Sequence, residues 1–257
     1  MATAVEVRRW LADASNVTFL SGAGISTDSG IPDYRGPQGV WTKNPEAEKM
    51  STLSHYLDDP EVRRRSWRTR STSPVWMAQP NAAHLALAQV DRATIVTQNV
   101  DGLHQIAGSD PQRVIEIHGS MRSTTCWSCG DRRPMTEALE RVAAGEEDPP
   151  CLVCGGILKS STISFGQQLD PAVLERAQRA ADAADLFVAL GTSLTVQPAA
   201  SLASRAKRKG ALLVIANAEE TPYDGIADAV LRQPLGELVP EMVGLDSTGR
   251  PAGPNAR

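Results

Sequence analysis

The sequence predicts an α/β protein: a Rossmann-like parallel sheet with helices on both faces, plus a small inserted zinc-ribbon and helical module. Three observations predict it. Short apolar runs recur at residues 16–20, 93–97, 114–118, 185–190 and 211–217, each the length of a buried strand. Helical patterns lie between several of them, at 82–90, 171–183 and 198–208, the spacing of βαβ units. Two stretches, 36–79 and 122–159, break the alternation, and the second carries four cysteines in two C-x-x-C pairs.

Size and charge narrow the function classes. The chain has 257 residues, room for one large domain with a smaller one inserted, and at 41% hydrophobic it can bury a core. A formal net charge of -4 excludes a basic field for nucleic acid. The run Arg63-Arg64-Arg65 with Arg68 and Arg70 reads as a solvated helix face. No charged-then-apolar leader opens the chain, and no apolar run nears the roughly 18 residues of a membrane span. The expectation is a soluble cytoplasmic protein without a membrane partner, where paired cysteines favour metal over disulfides.

In chain order, residues 5–11 alternate charged and apolar types and read as a surface helix. The first strand follows, then Gly22-Ala23-Gly24 at its exit. Glycines there let backbone approach a pyrophosphate, although a lone G-x-G also serves any tight strand-to-helix turn. A second turn of this kind, Gly191-Thr192-Ser193, follows the strand at 185–190 and favours dinucleotide binding. The segment Gly30-Ile31-Pro32-Asp33-Tyr34-Arg35-Gly36 adds a carboxylate, an aromatic and a guanidinium beside the first turn. A surface loop with a local Asp–Arg pair would also account for it.

The strand at 93–97 exits into Gln98-Asn99-Val100-Asp101-Gly102-Leu103-His104. Asn99 and Asp101 can supply the donor and acceptor that a carboxamide needs, while an N-x-D-G turn capping a helix is the plainer account. His118-Gly119 ends the next strand, placing an imidazole able to accept a proton near neutrality between that loop and the cysteines. His55, His84 and His104 are expected to be structural. Cys126-x-x-Cys129 and Cys151-x-x-Cys154 have zinc-ribbon spacing, with every ligand position filled and none left for water. Redox dithiols fit two such pairs less well. The body is expected from 1–35, 80–121 and 160–246, the small module from 36–79 and 122–159, and a flexible tail at 247–257.

These motifs, with Phe165-Gly166 and Gly191-Thr192-Ser193-Leu194, resemble the sirtuin family of NAD-dependent protein deacylases, and the resemblance runs from about Val17 to about Val230. The Arg- and Ala-rich composition points to a bacterial member. The resemblance implies NAD as co-substrate and one structural zinc. It places Gly22, Ala23, Gly24, Asp33, Tyr34, Arg35, Gln98, Gly191, Thr192 and Ser193 around the cofactor, with Asn217 on the adenosine ribose. Tyr34 stands where most members have Phe. Asn99 and Asp101 belong to the nicotinamide and ribose pocket, and His118 to the general base. Residues 161–168 resemble the segment that pairs with an acyl-lysine peptide, with Phe165 and Gly166 at the lysine tunnel; Lys159-Ser160 and Gln167 depart from the family pattern there.

Trp67-x-x-Arg70 resembles the Tyr-x-x-Arg of members that remove succinyl or malonyl groups, while Gly36-Pro37-Gln38-Gly39-Val40-Trp41-Thr42 resembles a branch with long-chain deacylases and ADP-ribosyltransferases. The two resemblances disagree, so acyl preference stays open, with a deacetylase the first expectation the family implies. The expected products are free lysine, nicotinamide and O-acyl-ADP-ribose. The alternatives are a mono-ADP-ribosyltransferase or NAD glycohydrolase, or a non-catalytic NAD-binding interaction protein.

Overall fold

The computed structural model describes residues 2–33, 36, 39–43 and 50–245. Six of its strands form one parallel sheet: β1 (Val17–Ser21), β2 (Ala93–Thr97), β3 (Val114–Glu116), β7 (Leu186–Leu190), β8 (Leu212–Ala216) and β9 (Ala229–Leu231). Their order is β3-β2-β1-β7-β8-β9, with every neighbouring pair parallel. Strand order reverses between β1 and β7, the kind of place where an open α/β sheet holds its ligand.

The strands read as continuous apolar runs because both faces are covered. Alternate residues go to opposite sides. Phe19, Val188 and Val214 join the core shared with α1 (Ala4–Asp13), α5 (Ala82–Leu87) and α10 (Leu235–Val243). Leu20, Phe187 and Ile215 join the core shared with α8 (Pro171–Ala183) and α9 (Ser201–Arg208). The helix starts follow local chemistry. Asp170 accepts from the N–H groups of Ala172 and Val173, with Pro171 at the first helical position. Asn81 caps α5 in the same way, and Thr3 with Glu6 forms a capping box on α1.

The expected strands and helices are present, two of them (93–97 and 171–183) with the expected limits and the others with shifted ends. The third strand stops at Glu116, so Ile117 and His118 lie beyond it, and the helix expected at 198–208 begins at Ser201. The helix at residues 5–11 packs Val7 and Leu11 into the core, so it is a covering layer rather than a mere surface element. β9 and α10 carry no motif and were not anticipated.

The small module holds a second, antiparallel sheet, β5-β4-β6, made of β4 (Gly119–Cys126), β5 (Arg132–Pro134) and β6 (Leu158–Thr162). This sheet straddles the expected boundaries at 122 and 159, entering at Gly119 and leaving at Thr162. Around it lie α3 (Leu53–Asp58), α4 (Pro60–Ser71) and α7 (Met135–Ala143). Two shorter helices, α2 (Val40–Lys43) and α6 (Leu103–Ile106), flank the sheet edge. A separate apolar cluster of Trp67, Cys126, Met135, Ala138, Cys151 and Leu158 fills the module. Among the described residues no helix is long and apolar enough to cross a membrane. The expected tail at 247–257 lies outside the described residues.

Candidate active site

The exits of β1 and β7 open into a cleft of about 1190 Å³, lined from both modules. The two glycine turns interlock at its floor. Gly24 N donates to Gly191 O at 2.9 Å, and Gly22 N to Leu190 O at 2.9 Å. A Cβ on Gly22 would sit 2.6 Å from Gly191 O, and one on Gly191, whose φ is +59°, would sit 2.6 Å from Ile25 N. The glycines therefore serve the mutual approach of the two turns as well as clearance for a pyrophosphate. Ala23, between them, opens a single 3₁₀ turn over Ala23–Ile25. Gln98 Nε2 donates to Thr192 Oγ1 at 2.9 Å, tying the second polar loop to the β7 exit. Ser193 Oγ lies 2.9 Å from Thr195 Oγ1, and Leu194 holds a left-handed φ of 53°, a sparsely populated conformation fixed by its burial.

Asn99 lines the cleft with a fixed orientation. Its Nδ2 donates to Gly22 O and to Ser26 Oγ, both at 3.0 Å, so both donors are used and Oδ1 is left as the acceptor. Ser26 Oγ in turn donates to Asp101 Oδ2 at 2.8 Å, while Asp101 Oδ1 accepts from Leu103 N at 2.9 Å and starts α6. Asp101 is buried behind the wall, unlike its neighbours Asn99 and Val100, which line the cleft. It acts on the cleft through Ser26 and Asn99. A deeper relay holds the same loop. Ser21 Oγ donates to Thr97 Oγ1 at 2.8 Å, so it accepts from His104 Nε2 at 2.8 Å; Thr97 Oγ1 also accepts from Asn99 N at 3.1 Å.

His104 and His84 are both buried, with ring centres 5.0 Å apart. Burial pushes their pKa values down to about 3 and about 4 respectively, so both are neutral structural groups. His55 is exposed on α3.

His118 stands on the cleft wall. Its Nδ1 lies 3.1 Å from Gln98 O, an atom that only accepts, so Nδ1 carries the proton and Nε2 keeps its lone pair. Burial lowers its pKa, and the bond to the Gln98 carbonyl offsets part of that. The ring is thus held neutral, in one tautomer, as a base.

On the substrate side, Phe165 is 37% exposed and lines the cleft with Gly166. Phe165 already pairs with the protein's own chain: its N–H donates to Ser51 O at 2.8 Å, and its carbonyl accepts from Leu53 N at 2.9 Å. Arg70 lines the cleft with Ser66 and Thr69. Trp67 does not, which corrects its reading as an acyl-pocket residue. In a helix, positions i, i+3 and i+4 share a face and i+1 turns about 100° away. Trp67 accordingly lies fully buried in the module core with Met135 and Leu158. The Arg70 guanidinium carbon stands 5.6 Å from the centre of the Tyr56 ring and 5.5 Å from that of Trp67, and its Nη1 is buried without a hydrogen-bond partner. Nearby Lys159, buried and donating to the carbonyls of Ser160 and Thr162, has its pKa lowered to about 7 by burial and by Arg70.

The four cysteine sulfurs lie within 4.8 Å of one another. Two of the separations, Cys126 Sγ–Cys154 Sγ at 3.5 Å and Cys129 Sγ–Cys151 Sγ at 3.7 Å, are close to the edge of a tetrahedron with ~2.3 Å metal–sulfur bonds. Main-chain N–H groups of Cys129 and Val153 point at Cys126 Sγ and Cys151 Sγ, an arrangement that favours thiolates. The donor set fits one zinc with no open position.

At the other end of the cleft, Asn217 Nδ2 donates to Glu219 O at 2.9 Å. Arg232, unsuspected from sequence because no motif surrounds it, donates to Asn217 O at 2.8 Å and pairs with Asp224. Asp33 lines the cleft and accepts from Gly36 N at 3.0 Å. Tyr34, Arg35, Pro37 and Gln38 lie outside the described residues. Ser26 follows the first glycine turn by two residues, and that turn is the only sequence signal near it.

A cleft built this way belongs to an α/β enzyme that works on a dinucleotide and is braced by a structural metal. The model of the Sir2 family matches residues 22–198, and the chain belongs to that family, the sirtuins. It is 54% identical over 231 residues to NAD-dependent protein deacetylase 2 of Streptomyces coelicolor, covering 88% of this chain and 96% of that one. It is 38% identical over 237 residues to NAD-dependent protein deacylase 1 of Archaeoglobus fulgidus, covering 91% and 94%. Among solved structures, a Sir2–p53 peptide–NAD+ complex superimposes with a TM-score of 0.82 at 32% identity, covering 93% of this chain and 96% of that one. Sir2Tm bound to a propionylated peptide gives a TM-score of 0.82 at 30% identity over 93% and 96%.

Proposed function

We propose that this protein is an NAD-dependent protein-lysine deacylase that releases nicotinamide and O-acyl-ADP-ribose, with zinc in a structural role. The observation that carries the reading is the pairing of two oriented acceptors on one cleft wall: the Nε2 lone pair of His118 and the Oδ1 of Asn99. NAD supplies the ADP-ribose that accepts the acyl group. The glycine turns at 22–24 and 191–193 would hold its phosphates and Asn217 its adenosine ribose, with Asp33 also lining the cofactor's side of the cleft. Asn99 presents an acceptor to the nicotinamide end, and Asp101 holds Asn99 through Ser26. His118 takes the proton from the ribose hydroxyl at Nε2, while the Gln98 carbonyl keeps the ring oriented. Phe165 and Gly166 flank the entry of the acyl-lysine side chain.

The parallel sheet and the helices on its two faces serve as the cofactor domain, and the antiparallel sheet, from Gly119 to Thr162, with helices α3, α4 and α7 as the substrate-side module. Acylated-lysine proteins are the partners. The cytoplasm is the working compartment, where four thiols stay reduced. The test is mass spectrometry of products from NAD and a panel of acyl-lysine peptides. O-acyl-ADP-ribose appearing with deacylated peptide supports the reading. Nicotinamide release without deacylation replaces it with ADP-ribosyl transfer or NAD hydrolysis.

A second reading concerns the acyl group. Arg70 lines the cleft, and its Nη1 has no hydrogen-bond partner. A guanidinium held there favours an acyl chain ending in a carboxylate. Arg70→Met should lower kcat/KM for succinyl-lysine peptide at least tenfold while sparing acetyl-lysine. An equal loss for both peptides overturns this preference.

A further inference from the structure

β4 pairs with β6 at both ends but not in the middle. Ser120 faces Ser161 and Thr124 faces Ser160, so Met121, Arg122 and Ser123 lie opposite no residue of β6; Ser123 still pairs with Pro134 of β5, while Met121 and Arg122 arch out of the sheet. Bulges of this kind re-aim side chains, and they concentrate beside active sites. Here the arch leans on the polar loop at 98–104. Met121 N donates to Val100 O at 2.8 Å, and Arg122 Nε donates to Asp101 O at 2.8 Å. The guanidinium also reaches Val75 O at 3.4 Å and stands 5.4 Å from the centre of the Trp76 ring. The loop has yielded space for it. Gly102 holds a φ of +75°, and a Cβ there would approach Arg122 Nε to 3.2 Å and Cγ to 3.3 Å. Among the described residues Arg122 forms no ion pair, so its charge is committed to these carbonyls and this ring.

From the bulge, the bond and the glycine together, we propose that Arg122 is a positioning residue for the cofactor reaction: it clasps the Asp101 peptide and so fixes the Asp101–Ser26–Asn99 chain that faces the nicotinamide end. The inference rests on the proposed cofactor site, but not on which acyl group is removed. If Asp101 shifts, Ser26 Oγ loses its acceptor and Asn99 loses the partner that sets its amide orientation. The peptide-facing residues Phe165 and Gly166 hang on β6 and the 51–53 segment instead. Arg122 therefore acts on cofactor binding rather than on peptide binding.

The test measures NAD affinity by calorimetry, and KM for NAD and for peptide separately, in Arg122→Ala, Arg122→Lys and Gly102→Ala. Arg122→Ala should weaken NAD roughly ten- to hundredfold, the scale of losing a charge-assisted hydrogen bond. KM for peptide should stay within about twofold. Bound zinc should remain one per chain. Arg122→Lys keeps a donor and should recover part of the loss. Gly102→Ala presses on the guanidinium from the loop side, should weaken NAD in the same direction, and should do so less in an Arg122→Ala background. It also keeps the question answerable should Arg122→Ala not fold. Unchanged NAD affinity in folded Arg122→Ala and Gly102→Ala, or a peptide KM that rises equally, overturns the proposal. A wild type that binds NAD without deacylating any peptide sinks the deacylase reading and leaves this test standing.

Discussion

The interlock of Gly22 with Gly191 can be separated into its steric and conformational parts. In Gly191→Ala both act: φ is +59°, and the new Cβ meets Ile25 N at 2.6 Å and the Gly24 carbonyl carbon at 2.7 Å. A left-handed alanine costs roughly 1–2 kcal/mol and overpacking against backbone roughly 1–3, about 2–5 together. For a domain of this size each kcal/mol moves Tm by about 2–4 °C, so a fall of about 4–20 °C is expected. Gly22→Ala isolates the steric part. Its φ is −121°, open to any residue, yet its Cβ would lie 2.6 Å from Gly191 O and 2.7 Å from Thr192 Cβ. That variant should fall by about 2–10 °C. Both spread the two turns that would hold the phosphates, so NAD affinity should drop in each. Thermal unfolding followed by calorimetry, with NAD titration at 25 °C, reads both quantities. A Gly22→Ala protein within about 1 °C of wild type and with full NAD affinity would show that the turns do not need their close approach.

Three further outcomes follow from the geometry. His118→Ala should lose about 10²–10⁴ in turnover while still binding NAD; in wild type, because burial lowers the His118 pKa, kcat/KM should rise with pH with its midpoint below the ordinary histidine value of 6.5, and a midpoint above 6.5 would remove His118 as the base. His84 and His104 stay neutral when folded, with pKa values near 4 and 3 against 6.5 unfolded, so below about pH 6.5 the unfolded chain binds protons that the folded chain does not. Stability is therefore full above that pH and declines toward about pH 3, by several kcal/mol in total; urea midpoints across this range should flatten in His104→Gln, and an unaltered acid limb would refute the assignment. Chelating zinc should melt the small module, seen as increased exposure of Trp67 by fluorescence quenching, and a metal-free protein with Trp67 still protected would deny the metal its structural role.

The body of the fold was legible because its signals are local. The strand at Ala93–Thr97 and the helix Pro171–Ala183 have the limits the sequence implies, each bounded by turn or cap chemistry within a few residues. The four cysteines were legible because C-x-x-C spacing encodes the knuckle itself. What stayed hidden depends on register between distant segments. Ser26 meets Asp101 across 75 positions and His104 meets Ser21 across 83, and nothing near either residue announces the partner. No motif marks Arg122, and only the β4 bulge aims it at Asp101. Trp67 and Arg70 are neighbours on α4, with the guanidinium carbon 5.5 Å from the centre of the Trp67 ring, but Trp67 turns into the module core while Arg70 reaches the cleft. Ser66, not Trp67, shares the cleft face with Arg70.

The base, the clasp and the metal ligand lie on a single run of chain. His118 immediately precedes β4, Arg122 sits in its bulge, and Cys126 closes it. The module's apolar cluster includes two of the four ligands, Cys126 and Cys151, packed against Trp67, Met135 and Leu158. A core this small cannot offset the chain entropy of ordering the module without added ligation. Losing the metal therefore uncovers the core and frees the C-terminal end of β4 together. The N-terminal end is held independently, since Ile163 N donates to His118 O at 2.8 Å and His118 Nδ1 donates to Gln98 O. Between the two ends, the Arg122 bulge is where β4 meets the Asp101–Ser26–Asn99 chain, so the strand that carries a cysteine ligand also contacts the wall of the cleft.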